Sequence, residues 1–158
     1  MKLKMIAAIA ALMASSTPAL ASNFTGVRAE VTAGADNVTQ GIDTTDVTYG
    51  VGVGVDAEVY KNVIVGVEAN VDNVFDRRNI GASARLGLVV SDDVMVYGKV
   101  GYANWEDVTS KKLDGLRLGA GLEYHVVGPF YVGGEYRYTD FAGKTGQHGG
   151  FLKAGMRF

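Results

Sequence analysis

The amino-acid sequence predicts an all-β chain: an eight-stranded antiparallel, up-and-down transmembrane β-barrel, preceded by a cleaved signal peptide. Three observations carry that expectation. Hydrophobicity alternates with period two through eight segments, the mark of strands with unlike faces. Where a segment holds two charges, both fall on the same face. The connections alternate between short and long, as they do when strands thread a bilayer.

Residues 1–21 read as an export signal. Lys2 and Lys4 precede an apolar run from Met5 to Ala14, about half the length a helix needs to span a bilayer. Ser15 to Pro18 follow, then Ala19-Leu20-Ala21, a small-x-small peptidase site, so cleavage is expected before Ser22. The remainder, 22–158, is expected to form a single barrel domain.

The eight segments are read in order. Segment 24–33 places Val27, Ala29 and Val31 on one face and Arg28 and Glu30 on the other; 47–59 opposes Tyr49, Val51, Val53 and Val55 to Asp56 and Glu58. Segment 63–71 places Val63, Val65, Val67, Ala69 and Val71 on one face against Glu68, and 79–90 sets Ile80, Ala82, Ala84, Leu86 and Leu88 against Arg85. Segment 94–104 opposes Val94, Val96, Val100 and Tyr102 to Lys99, and 114–126 opposes Leu116, Leu118, Leu122 and Tyr124 to Arg117 and Glu123. Segment 130–140 sets Phe130, Val132, Tyr136 and Tyr138 against Glu135 and Arg137; 149–158 sets Leu152, Ala154, Met156 and Phe158 against Lys153 and Arg157. Five segments hold two of these charges, always with like parity; chance would do this about once in 32 for a period-two chain without facial preference. Asp114 and Asp140 depart from the pattern at segment ends. Short connections are expected at 60–62, 91–93 and 127–129, and longer loops at 34–46, 72–78, 105–113 and 141–148.

A soluble ligand-binding barrel would alternate too, with its apolar face inward. Two features argue for the opposite arrangement. Tyr49, Tyr102, Tyr124, Phe130, Tyr138 and Phe158 cluster near segment ends, with Trp105 at a loop rim, as in the aromatic girdles of membrane barrels. The charged face is nearly balanced and interleaved with glycines such as Gly52, Gly66, Gly119 and Gly121, which suits pairing inside an eight-strand lumen just wide enough for side chains. The thirteen inward charges (Arg28, Glu30, Asp56, Glu58, Glu68, Arg85, Lys99, Arg117, Glu123, Glu135, Arg137, Lys153, Arg157) are therefore expected to form a salt-bridged plug. Glu135 and Arg137 are expected to partner Arg117 and Glu123 on the neighbouring strand.

The stretches Lys99-Val100-Gly101-Tyr102-Ala103, Gly115 to Tyr124, and Gly134 to Phe141, with the closing alternation to Phe158, resemble the small outer-membrane β-barrel family of opacity-type surface proteins, often labelled "porin family". The resemblance spans most of 22–158 and is carried in the first half by rhythm alone. It implies a Gram-negative outer-membrane location, periplasmic termini, longer loops outside, and recognition of Phe158 and the last strand by the outer-membrane assembly machinery.

Composition removes other classes. Lysine plus arginine number 15 against 17 aspartates plus glutamates, a net charge of −2, which excludes a general nucleic-acid binder. The absence of cysteine excludes a disulfide scaffold, a thiolate zinc site and a cysteine nucleophile. The 22 glycines follow no triplet repeat, so a collagen-like chain is excluded.

No enzyme, cofactor or metal is expected. His125 is followed by two valines and His148 by two glycines, so neither has the nearby serine of the outer-membrane lipid A deacylases. Asp36, Asp43 and Asp46 lack the spacing of a calcium loop. Glu106, Asp107, Lys111 and Lys112 read as a solvated loop, and Arg77-Arg78 as a possible contact for lipopolysaccharide phosphates. The expected function is a non-enzymatic, monomeric envelope protein whose partners are outer-membrane lipids, including lipopolysaccharide. A small pore, or a soluble periplasmic ligand carrier, are the alternatives.

Overall fold

The computed structural model describes residues 23–39, 44–74, 77–106, 112–141 and 145–158, without the side chains of 38–39, 44–46, 73–74, 77–78, 105–106, 112–113, 141 and 145. The expected signal segment and Ser22 lie outside them. The described residues form eight strands: β1 (Gly26–Thr39), β2 (Thr44–Tyr60), β3 (Val63–Val74), β4 (Arg77–Ser91), β5 (Val94–Glu106), β6 (Lys112–Val127), β7 (Phe130–Phe141) and β8 (Thr145–Arg157). Each pairs antiparallel with the next, and β8 returns to β1, from Arg28 opposite Arg157 to Thr39 opposite Gly146, closing the barrel. Closure leaves no open edge, as hydrocarbon requires, since each unpaired backbone group there costs several kcal/mol.

The short connections lie at one end together with the first and last described residues, Asn23 and Phe158; it is called the terminus end. Asn62 and Gly128 adopt positive φ there (65° and 57°), and a register shift precedes each turn, at Glu58/Tyr60, Val89/Ser91 and His125/Val127. Such bulges add twist and help a narrow barrel curl.

At the opposite end the strands run further than the sequence suggested. The expected loops 34–46, 72–78, 105–113 and 141–148 shrink to gaps of 40–43, 75–76, 107–111 and 142–144 between strands. Asp36 pairs with Asp46, and Asn37 with both Thr45 and His148. The polar, glycine-rich composition marks where the strands leave the apolar layer. It does not stop the ladder, whose bonds are backbone bonds.

The two faces separate as alternation demands. Val27, Val53, Leu86, Leu118 and Val132 are exposed on the outside, whereas Arg28, Arg85, Lys99, Arg117 and Glu135 are buried inside. The soluble alternative needs the reverse. From Phe158 up to His148 the outward face climbs ten residues, about 25 Å for a tilted strand, the height of a membrane barrel's apolar band.

Val53→Arg, at mid-height on the outer face, is expected to destabilise the barrel by about 2–4 kcal/mol in vesicles, and Tyr60→Arg, at the rim, by about 0–1 kcal/mol. Urea unfolding of the two variants measures the difference.

Candidate functional site: the ionic lumen and the outer belts

Inward positions of all eight strands build a layered interior. At the terminus end, Gly26 (φ 113°) turns the chain so that Phe24 is enclosed with Ile64, Met95 and Tyr97. Asn23 Nδ2 donates to the Asp92 carbonyl at 3.0 Å, and Arg157 Nη1 to the Asn23 carbonyl at 3.0 Å. These contacts form an apolar floor.

Above it, Asp56 receives Arg85 at 2.5 Å, Arg28 at 3.0 Å and Arg157 at 3.2 Å. Glu123 receives Arg85 at 2.5 Å and Arg157 at 2.8 Å. In the next layer Arg28 spans Glu30 (2.7 Å) and Glu68 (2.6 Å). Lys99 joins Glu68 and Glu135, both at 2.6 Å, and Lys153 joins Glu30 at 3.0 Å and Glu135 at 3.2 Å. Arg137 also bonds Glu135. Tyr97 donates to Glu135 at 2.6 Å and Tyr131 to Glu30 at 2.8 Å. Further from the termini, Asp72 holds Arg137 at 3.1 Å and Arg117 at 3.4 Å, and Thr48 donates to Asp36 at 2.7 Å. Among the described residues seven basic and seven acidic side chains are buried, so the lumen is neutral.

Glycines make room for this network. Arg28 faces Gly54, Asp56 faces Gly66, Tyr97 faces Gly121, Lys99 faces Gly119 and Tyr131 faces Gly155 across neighbouring strands. At each of these glycines a Cβ would collide with the facing side chain. Large inward groups thus lie flat over glycine gaps, which is how so narrow a lumen holds seven long cations.

The structure buries each predicted lumen charge except Glu58, which keeps inward parity but sits at the rim, accepting from the Asn62 backbone at 3.0 Å. It lies too close to the turn to be enclosed. The expected partnership of Glu135 and Arg137 with Arg117 and Glu123 is replaced by the contacts above. Glycines and a threonine stand opposite these side chains on the neighbouring strand (Gly121, Gly119, Thr139 and Gly133), so Arg117 donates to Thr139 at 3.2 Å, Arg137 bonds Glu135 along β7, and their other ion partners lie across the lumen. Sequence reasoning missed Asp36 and Asp72, assigned to loops, and the inward Phe24, Ile64, Met95, Tyr97, Tyr131 and Phe151. Parity carried through each strand would have found all of them but Phe24, which precedes β1 and is turned inward at Gly26.

Outside, Tyr124, Phe130 and Phe158 ring the terminus end, and Tyr49, Tyr102 and Tyr138 the opposite end. Trp105 is in β5, its side chain outside the described residues. So are the side chains of Arg77, Arg78, Asp46, Glu106 and Lys112, and all of Asp43, Asp107 and Lys111. Asp114, one of the two exceptions to the facial pattern, accepts from Asn104 at 2.6 Å and from the Tyr102 hydroxyl. His125 contacts Asp93 at 3.2 Å and the Gly128 carbonyl at 2.9 Å. His148, expected in a loop, belongs to β8, its ring 6.3 Å from that of Tyr136. No cluster of three or more metal-ligating side chains occurs among the described residues.

A closed sheet that is apolar outside and ionic inside defines an integral membrane barrel. Residues 7–158 match the family model for the outer membrane protein beta-barrel domain; the chain belongs to that family and resides in the bacterial outer membrane. No curated protein sequence matches it. The fold is similar to Neisserial surface protein A, at TM-score 0.66 and 14% identity over 85% of this chain and 98% of that one. It is also similar to Ail, the attachment invasion locus protein of Yersinia pestis, at TM-score 0.59 and 15% identity over 85% and 99%. The outer membrane enzyme PagL shares it at TM-score 0.53 and 15% identity over 82% and 99%.

Glu123→Ala leaves Arg85 and Arg157 to share Asp56 with Arg28, an excess of buried positive charge, and is expected to cost about 3–5 kcal/mol. Glu58→Ala, at the rim, is expected to stay within about 0.5 kcal/mol. The denaturation midpoints in vesicles compare them.

Proposed function

We propose that this protein is a non-enzymatic, monomeric component of the envelope that works through its surfaces, in contact with outer-membrane lipids and lipopolysaccharide. The observation that carries the reading is the filled lumen. With its ion pairs enclosed and Phe24 beneath them, the interior offers no wide path, and sixteen or more strands normally make an aqueous channel. What remains to act is the outside: the belts and the four connections at the end away from the termini. Phe158, outward at the end of the closing strand, is the element for the assembly machinery, and the termini are periplasmic. Against catalysis, both ring nitrogens of His125 are engaged, with Asp93 and the Gly128 carbonyl, and His148 is followed by Gly149 and Gly150.

A small pore is the second reading. Thr32 Oγ1, Asn70 Oδ1, Asp72 Oδ1, Asn79 Oδ1 and Ser83 Oγ are buried without protein partners, so this half of the lumen is suited to hold solvent.

Single-channel recording separates the two. The surface reading predicts a flat baseline for the refolded barrel; stable openings changed by Arg117→Ala would establish the pore. In cells, deletion is expected to raise detergent sensitivity several-fold. Restoration by wild type, but not by a chain with Gly-Ser replacing 40–43 and 107–111, would assign the role to those connections.

A further inference from the structure

At the terminus end the chain crosses the mouth of the lumen before it enters β1. Asn23 is tied to the Asp92 carbonyl, in the connection between β4 and β5, whereas β1 begins at Gly26 beside β8. In a closed ring of eight strands those two places face each other. Three residues reach about 10 Å, so segment 23–25 runs over the opening rather than around its rim. Gly26, at φ 113°, makes the corner from this strap into the barrel wall. A Cβ there would strike the Phe158 carbonyl oxygen at 2.1 Å.

The strap carries an aromatic plug. The Phe24 ring is fully enclosed, packed with Ile64, Met95 and Tyr97, with Val89 against them. Gly87 leaves the space that Met95 fills, since a Cβ there would come within 2.7 Å of its sulfur. Arg157 joins the plug to the charges. Its guanidinium lies 5.7 Å from the Phe24 ring centroid and donates to the Asn23 carbonyl, Asp56 and Glu123. The Arg157 Nε is buried without a partner. Lifting the strap lets water reach that donor, which offsets part of what release costs. The ladder, moreover, runs from Gly26 onward, so the strap can leave without parting any pair of strands. Local opening of this kind precedes global unfolding.

We propose that segment 23–25 is a releasable strap that closes the terminus-end mouth of the lumen. Seated, it shuts the layer of Asp56 and Glu123 off from water. Released, it opens the lumen to water and small ions as far as those carboxylates. The two halves of the interior are built to differ. One is dry under the strap, and the other holds unpartnered oxygens of Thr32, Asn79 and Ser83, suited to solvent. The inference stands apart from the surface reading, since it concerns the interior and holds whichever end faces outward.

The test exploits the chain's lack of cysteine. Met95→Cys places one thiol beneath Phe24, and its rate of reaction with a charged, membrane-impermeant methanethiosulfonate reports water at the mouth. Ile64→Cys is the second reporter, and Asp92→Cys, on an exposed turn, sets the open-water rate. Each barrel is refolded in detergent and taken in its folded, heat-modifiable form. With Phe24 in place, the Met95→Cys thiol is expected to react about a hundredfold more slowly than that of Asp92→Cys. Adding Phe24→Gly should raise its rate at least tenfold, and Phe24→Leu should keep it within twofold. Asn23→Ala keeps the ring and removes the tie to Asp92, so it separates a strap that moves from fixed packing. A rise of at least threefold is expected, and this variant carries the test if Phe24→Gly fails to fold. A parent thiol as reactive as Asp92→Cys, or an Asn23→Ala barrel as slow as its parent, would overturn the strap.

Discussion

The constraint on which everything else depends is the enclosure of a neutral set of charges. A bilayer accepts no free lysine or arginine at its centre, and a lumen eight strands wide admits no bulk water to solvate one. Each cation must therefore meet a carboxylate across the interior. Asp56, shared by Arg28, Arg85 and Arg157, and Glu135, shared by Lys99, Arg137 and Lys153, join strands far apart in the chain. A one-residue slip would carry a strand's charges out to lipid. The network therefore helps to specify the register, which sequence-independent backbone bonds do not select by themselves.

Such a network needs volume in a cylinder with little to spare. The glycines opposite Arg28, Asp56, Lys99, Tyr97 and Tyr131 supply it without widening the barrel. This gives a physical meaning to the chain's high glycine content: each of these glycines is the complement of a named large side chain on the next strand. The outward glycines, Gly134 and Gly150, do something else, lowering the lipid-facing surface locally. Interior packing thus sets the lumen, and the outward glycines leave shallow gaps in the outer face.

The class of fold and its two faces were legible because period two and charge parity are local signals, and both persist through the polar ends. The strand ends were not legible. Asp36, Asn37, Asp72 and His148 look like loop residues by composition, yet pair on within the ladder. Ion partners were also out of reach. Neighbours in sequence or on adjacent strands suggested Glu135 with Arg117, whereas pairing across a tilted cylinder is decided by height and by which glycine leaves space. The family relation places the molecule in the outer membrane, and low identities to its structural neighbours carry the fold alone.

The central claim is that uncharged side chains touch lipid while the ionic set is sealed within. Methyl-resolved NMR of the barrel in nanodiscs addresses it directly, through cross-relaxation between side-chain methyls and lipid acyl chains. The account predicts strong lipid contacts for Val53, Leu118 and Val132, and none for Ile64 and Met95. Acyl-chain contacts at Ile64 and Met95, with Val53 and Leu118 silent, would contradict it.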